Sequence, residues 1–163
     1  YFLYHKGSDF RRMLHLLKYE GREDIGRTMG RFMAEEMVAS GFFNGVDLIV
    51  PVPLHPRKQR ARGYNQSECL AEGIAEVTGI AMDAQAVSRR VYSQTQTRKS
   101  AYERWENVAG IFRVEHPERY VGKHILLVDD VLTTGSTITA CADAFAGIEG
   151  LRISVLSLAK AGV

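Results

Sequence analysis

Cysteine is scarce in this sequence of 163 residues: it has two, Cys69 and Cys141, with no C-x-x-C pair and no histidine at ligand spacing. That excludes a disulfide framework and a zinc site; both thiols fall in helix-like segments and read as small buried hydrophobes. Long apolar runs are absent too. No stretch reaches the roughly 18 apolar residues of a membrane helix, and the opening YFLYHKGSDF lacks the apolar region of a signal peptide. The expected location is the cytoplasm. Charge of one sign is lacking, because 21 Lys and Arg face 19 Asp and Glu for a net +2, so bulk charge points to no polyanionic partner. There is no internal repeat, low-complexity tract or linker, and the five histidines show no metal spacing.

With 45% hydrophobic and 25% charged residues, the chain fits one globular domain over 1–163. Residues 9–20 (DFRRMLHLLKYE) carry Phe10, Met13, Leu14 and Leu17 at helical spacing, and Gly21 stops the helix. A second helix is expected over Asp24–Ser40, with Ile25, Met29, Phe32, Met33, Glu36 and Met37 as its inward stripe and Gly41 as its stop. Leu48–Pro53 reads as a short strand closed by prolines. Residues 54–64 read as a basic loop, and Asn65 with Glu68 forms a capping pair for a helix ending at Gly79. Val87–Val91 and Gly110–Val114 read as strands flanking a polar insertion, 92–108, whose Ser100 and Glu103 cap a short helix. After a turn at 116–120, His124–Val128 is an apolar run covered on both faces. A helix over Ser136–Phe145 and a strand over Ile153–Leu158 follow. Strands alternating with helices make the class α/β, with a central, mostly parallel sheet of about five strands. Residues 1–45 then form a small helical hood on a core of 46–163.

The stretch Leu127-Val128-Asp129-Asp130-Val131-Leu132-Thr133-Thr134-Gly135-Ser136-Thr137 sets two acids at the carboxyl end of a buried strand, where open parallel sheets bind ligands. Beyond them, a glycine- and hydroxyl-rich turn opens a helix. Its backbone N–H groups, the positive helix end and the hydroxyls of Thr133, Thr134, Ser136 and Thr137 converge on a point suited to a phosphate, with Gly135 giving the turn its freedom. Acids would repel that phosphate, so the task of Asp129 and Asp130 lies at sugar hydroxyls, from which they would accept hydrogen bonds, or at a metal. The ligand this suggests is a sugar phosphate. No lysine follows Gly135 as a P-loop requires, and G-x-G-x-x-G is absent.

This strand, acid pair and Thr-Thr-Gly-Ser-Thr turn resemble the phosphoribosyl pyrophosphate (PRPP) motif of type I phosphoribosyltransferases. Together with KYEGR at 18–22, PVPLHPRKQRARGYNQS at 51–67, and Gln96, Arg104, Asn107 and Phe112, they resemble the ComF/GntX family of that amidophosphoribosyltransferase-like superfamily, linked to competence and DNA uptake. Full-length members usually begin with a cysteine-rich zinc segment, and no such segment is present in this sequence.

The resemblance implies a phosphoribosyltransferase fold and a ligand that is PRPP or a ribose 5-phosphate nucleotide, with Mg²⁺ carried by PRPP and no metal held by the protein's own residues. Asp129 and Asp130 would meet the ribose, and Thr133, Thr134, Gly135, Ser136 and Thr137 the 5′-phosphate. Arg57 and Lys58 would meet the pyrophosphate. The alternatives for that cluster, with Arg60 and Arg62, are a solvated basic loop and, beside Tyr64, a surface for single-stranded DNA. The insertion 92–108 matches the closing catalytic loop of the superfamily, from which Arg104, with Lys99, would reach the pyrophosphate as the catalytic cation. DNA-uptake proteins and a second copy of the chain complete the expected partners. The activity implied is pentosyl transfer; the alternative is an accessory protein of DNA uptake that binds the ligand with little turnover.

Overall fold

The computed structural model describes residues 2–4, 9–91 and 110–161. Its elements are β1 (Phe2–Tyr4), α1 (Asp9–Tyr19), α2 (Glu23–Val38), β2 (Leu48–Pro51), α3 (Pro56–Arg62), α4 (Gln66–Thr78), β3 (Val87–Arg89), β4 (Phe112–Val114), a 3₁₀ turn (Pro117–Tyr120), β5 (His124–Leu132), α5 (Ser136–Asp143) and β6 (Arg152–Ala161). Four strands form a parallel sheet in the order β1-β6-β5-β2, and β3 pairs antiparallel with β4 in a separate ribbon.

β5 is one of the two inner strands of the sheet. Ile125, Leu126, Leu127 and Val128 have no exposed surface, and successive side chains serve opposite faces, as the period of a strand requires. Leu126 and Val128 join Leu156, Leu158, Met33 and Leu70 on one side; Ile125 and Leu127 join Val50, Phe112, Tyr120, Ile138 and Phe145 on the other. Both sides being covered is why the run reads apolar at every position.

On the first side α2 lies against α4 at a glycine contact. A Cβ at Gly30 would meet the Leu70 carbonyl oxygen at 2.1 Å, and one at Gly73 would meet the Arg27 carbonyl oxygen at 2.1 Å. Backbones so close leave no room for large residues between them. Ion pairs flank the crossing, Arg27 to Glu72 at 2.6 Å and Arg31 to Glu76 at 3.1 Å. The inward face of α2 is accordingly Gly26, Gly30, Met33 and Ala34, while Phe32 is 43% exposed and Glu36 is exposed. The expected stripe, which included Phe32 and Glu36, is therefore rotated, because the glycines and not the largest apolar residues set the contact.

Three further expectations are corrected. Residues 56–62 are helical rather than loop: His55 accepts a hydrogen bond from Arg57 N at 3.2 Å, Pro56 opens the helix, and Gly63 closes it at φ 89°. Phe2–Tyr4 form an edge strand on β6, so the segment 1–45 is not wholly helical. The sheet has four parallel strands among the described residues, with a further parallel bridge from Ile49 to Met82, and β5, expected to end at Val128, extends through both acids to Leu132, paired with β6 there at Asp129↔Ser157 and Val131↔Ala159. Asn65 caps α4 as expected, accepting from Ser67 N at 3.2 Å, and Gly79 ends it.

Candidate functional site

β2 and β5 are neighbours and parallel, so the segments that leave their carboxyl ends emerge side by side at one edge of the sheet, the edge at which open parallel sheets bind ligands. From β2 the chain passes through Val52 to α3 and α4, and Asn65 Nδ2 donates to the Val52 carbonyl oxygen at 3.1 Å, fixing the start of α4 against the strand end. From β5 it passes through the acids into the turn 133–135 and α5.

Asp129 is 8% exposed. Its Oδ1 accepts from Ser67 Oγ at 3.1 Å and from Asp130 N at 2.9 Å. Those bonds favour the ionised form, yet burial and then the neighbouring Asp130 charge outweigh them and push the carboxyl up to about 6. Asp130 is more open. Its Oδ1 accepts from Val131 N at 2.8 Å, and its Oδ2 holds the Lys18 ammonium at 2.8 Å, from the last turn of α1. The two acids therefore differ in kind: one is buried with its carboxyl raised to about 6, the other is ion-paired.

Gly135 sits at φ 79° and caps α5, a left-handed conformation that favours glycine. Thr134 Oγ1 donates to Ser136 Oγ at 3.0 Å and accepts from Ser136 N at 3.4 Å, which shapes the turn. Asp129, Val131, Leu132, Thr133, Gly135, Thr137 and Ile138 line a shallow hollow there, of about 160 Å³ including its open mouth. Asp129 and the turn residues Thr133, Gly135 and Thr137 thus border one concavity, while Asp130 is not part of its lining.

Of the expected pyrophosphate residues, Arg57 is exposed on α3, whereas Lys58 is half-buried. Burial, followed by the charges of Arg89, Arg62 and Lys18, pulls the Lys58 ammonium below its usual value. Arg62 donates to Gln66 Oε1 at 2.7 Å. Tyr64 is buried and its hydroxyl donates to the Leu17 carbonyl oxygen, so it serves α1 rather than a nucleic-acid surface. Arg104 and the rest of the insertion 92–108 lie outside the described residues. Among the described residues no cluster of three or more His, Cys, Asp or Glu could hold a metal. Both cysteines are buried, and burial pushes each thiol up to about 12.

Three side chains join the site that sequence reasoning did not place there: Lys18, Ser67 and Arg89. Arg89 ends β3, lies over the Phe112 ring at 5.4 Å, and is near enough to Asp129 for that carboxylate to offset part of the cost of its burial. Each of the three comes from an element distant in sequence from the acids. Lys18 lies in KYEGR and Ser67 ends PVPLHPRKQRARGYNQS, two stretches that carry the family resemblance, whereas Arg89 has no such signal.

With this geometry in place, similarities to known proteins can be set beside it. The model of the phosphoribosyl transferase domain matches residues 69–162. A DNA utilization protein, YhgH, of Salmonella typhi is 37% identical over 133 residues, which span 80% of this chain and 58% of that protein. Competence protein F of Haemophilus influenzae is 28% identical over 153 residues, 91% of this chain and 67% of that protein. In fold, the chain resembles a glutamine PRPP amidotransferase from B. subtilis, solved with ADP and GMP, with a TM-score of 0.57 at 19% identity over 88% of this chain and 30% of that one. An allosteric regulatory enzyme of purine biosynthesis gives a TM-score of 0.53 at 18% identity, covering 86% and 29%.

Proposed function

We propose, from the premise that this chain belongs to the phosphoribosyl transferase domain family, that the concavity at the carboxyl end of β5 binds PRPP or a ribose 5-phosphate nucleotide and supports transfer of the phosphoribosyl group. The observation that carries this reading is the placement of two unlike carboxyls beside a hydroxyl-rich turn at one strand end. Thr133, Thr134, Gly135, Ser136 and Thr137 hold the 5′-phosphate through backbone N–H groups, hydroxyls and the positive end of α5. Asp129 and Asp130 accept hydrogen bonds from the ribose hydroxyls, which fixes the ring for attack at its anomeric carbon.

Mg²⁺ enters as part of the substrate, bound to PRPP, and supplies charge neutralisation at the leaving pyrophosphate. Lys58, with Arg57 and Arg104 as the other cations expected of that subsite, stabilises the same developing charge. A nucleobase or amine acceptor then bonds to the anomeric carbon as the C1–O bond breaks, pyrophosphate leaves with that bond's electron pair, and the acceptor's proton passes to water, with no covalent intermediate on the protein.

A second reading is supported by the names of the relatives, which refer to DNA utilization and competence rather than to a transfer reaction. In it the same site binds its ligand within a DNA-uptake process and turns over little. Release of pyrophosphate from Mg-PRPP, tested with a panel of nucleobases and amines, separates the two. Turnover with any acceptor supports transfer, whereas saturable binding without release supports the accessory role. Absence of binding defeats both.

A further inference from the structure

Lys18 stands in a position that the transfer reading leaves unused. Its ammonium is 2.8 Å from Asp130 Oδ2, and the two side chains are 25% and 15% exposed, so water screens the pair only partly. Asp130 Oδ1 is taken by Val131 N. A ribose hydroxyl that comes to Oδ2, the oxygen without a backbone donor, therefore competes there with the Lys18 ammonium.

The backbone around Lys18 is held. Leu14 and Leu17 are buried, and the Leu17 carbonyl oxygen accepts from the Tyr64 hydroxyl. What remains free to move is the four-carbon stem of the lysine, whose ammonium can swing by a few ångströms without displacing α1. Nearby, Lys58, Arg62 and Arg89 are close enough for their charges to act on one another, and Arg62 is bonded to Gln66. An anion brought among Lys18, Lys58 and Arg89 relieves that mutual repulsion. In PRPP the pyrophosphate is attached to C1, next to the C2 hydroxyl. An ammonium displaced from the carboxylate that receives the ribose hydroxyls is thus within a side-chain swing of the first phosphate on C1.

We propose that Lys18 is a specificity-determining residue that exchanges its ammonium from Asp130 to the C1 phosphate when the ribose hydroxyls take the carboxylate, and so makes the site prefer a pyrophosphorylated ribose to plain ribose 5-phosphate. This rests on the reading of the site as a ribose-phosphate pocket. When the ligand lacks a C1 phosphate, Lys18 gives up its partner and gains none. When the ligand carries one, the ion pair is replaced rather than lost.

The test is calorimetric titration of the wild-type chain, K18M and K18R with Mg-PRPP and with ribose 5-phosphate at one ionic strength. In K18M the affinity for PRPP should fall at least tenfold while that for ribose 5-phosphate stays level or rises; K18R should retain most of the preference. An equal loss for both ligands, or an unchanged ratio between them, overturns the proposal. Acylation of Lys18 in the wild-type chain, read by mass spectrometry, is a second measurement that needs no variant to fold. PRPP should protect the amine several-fold better than ribose 5-phosphate, and equal labelling with the two ligands would count against the exchange. If the wild-type chain binds neither ligand, the pocket reading itself fails and the proposal with it. Wild-type binding with an unchanged ratio in K18M removes only the role of Lys18.

Discussion

Replacing Asp129 by Asn should stabilise the ligand-free chain at alkaline pH. The wild-type carboxyl is 8% exposed and is raised from 3.8 to about 6, first by burial and then by Asp130. Because its folded value lies above its unfolded one, its contribution to stability is complete below about pH 4 and is lost as pH rises through about 6; above that the fold carries a buried charge. Two units at about 1.36 kcal/mol each come to about 3 kcal/mol. An Asn at 129 keeps an oxygen for Ser67 Oγ and Asp130 N, but its new amide N–H₂ must find an acceptor, at a cost of about 1–2 kcal/mol. The net gain at pH 8 is roughly 1–2 kcal/mol, a rise in Tm of about 2–8 °C for a chain of this size. Thermal melts of wild type and D129N from pH 4 to pH 8, at constant ionic strength and without ligand, should show the advantage shrinking as pH falls and reversing at about pH 5. A difference independent of pH, or a variant less stable at pH 8, would refute the account of Asp129 as an acid held in the site against the interest of the fold.

The other expectations concern separate parts of the molecule. Ala at Gly73 places a Cβ 2.1 Å from the Arg27 carbonyl oxygen and forces α2 from α4, so G73A should lose about 3 kcal/mol or more in urea unfolding. For the pyrophosphate cations, K58A should weaken Mg-PRPP binding at least tenfold in titration and R57A by less than threefold, since Lys58 is half-buried among other cations and Arg57 is exposed. A thiol reagent at pH 8 should leave Cys69 and Cys141 unmodified in the native chain and label both in denaturant, because each is buried with its thiol pushed up to about 12.

The parts of the fold that were legible are those whose local pattern agrees with their final environment. His124–Val128 reads as a doubly covered strand because it is one, and Asn65 and Gly79 bracket α4 by backbone chemistry that needs no tertiary partner. The helix at 56–62 carried its own start and stop, His55-Pro56 and Gly63, but a run of cations without an apolar stripe hides a short exposed helix from a search for periodicity. β1 is three residues long and exists through its pairing with β6, which no local signal encodes. The continuation of β5 through Asp129 and Asp130 is likewise made by backbone pairing, which tolerates acids when the side chains have hydrogen-bond donors such as Ser67. At the site, the acid pair and the turn after it lie in one contiguous stretch. Lys18, Ser67 and Arg89 reach the acids from three other elements, so only the folded chain brings them together.

The central claim is that Asp129, Asp130 and the turn from Thr133 to Thr137 form a pocket for a phosphoribosyl ligand. Its most direct measurement is the melting temperature of the wild-type chain and of a D129N/D130N variant as Mg-PRPP is titrated to millimolar concentration. Ligand at a hundredfold excess over its Kd adds about 2.7 kcal/mol, or roughly 5–10 °C. The wild-type chain should show a saturable rise of that order and the folded double variant little or none. No rise in the wild type, or an equal rise in both, would contradict the claim.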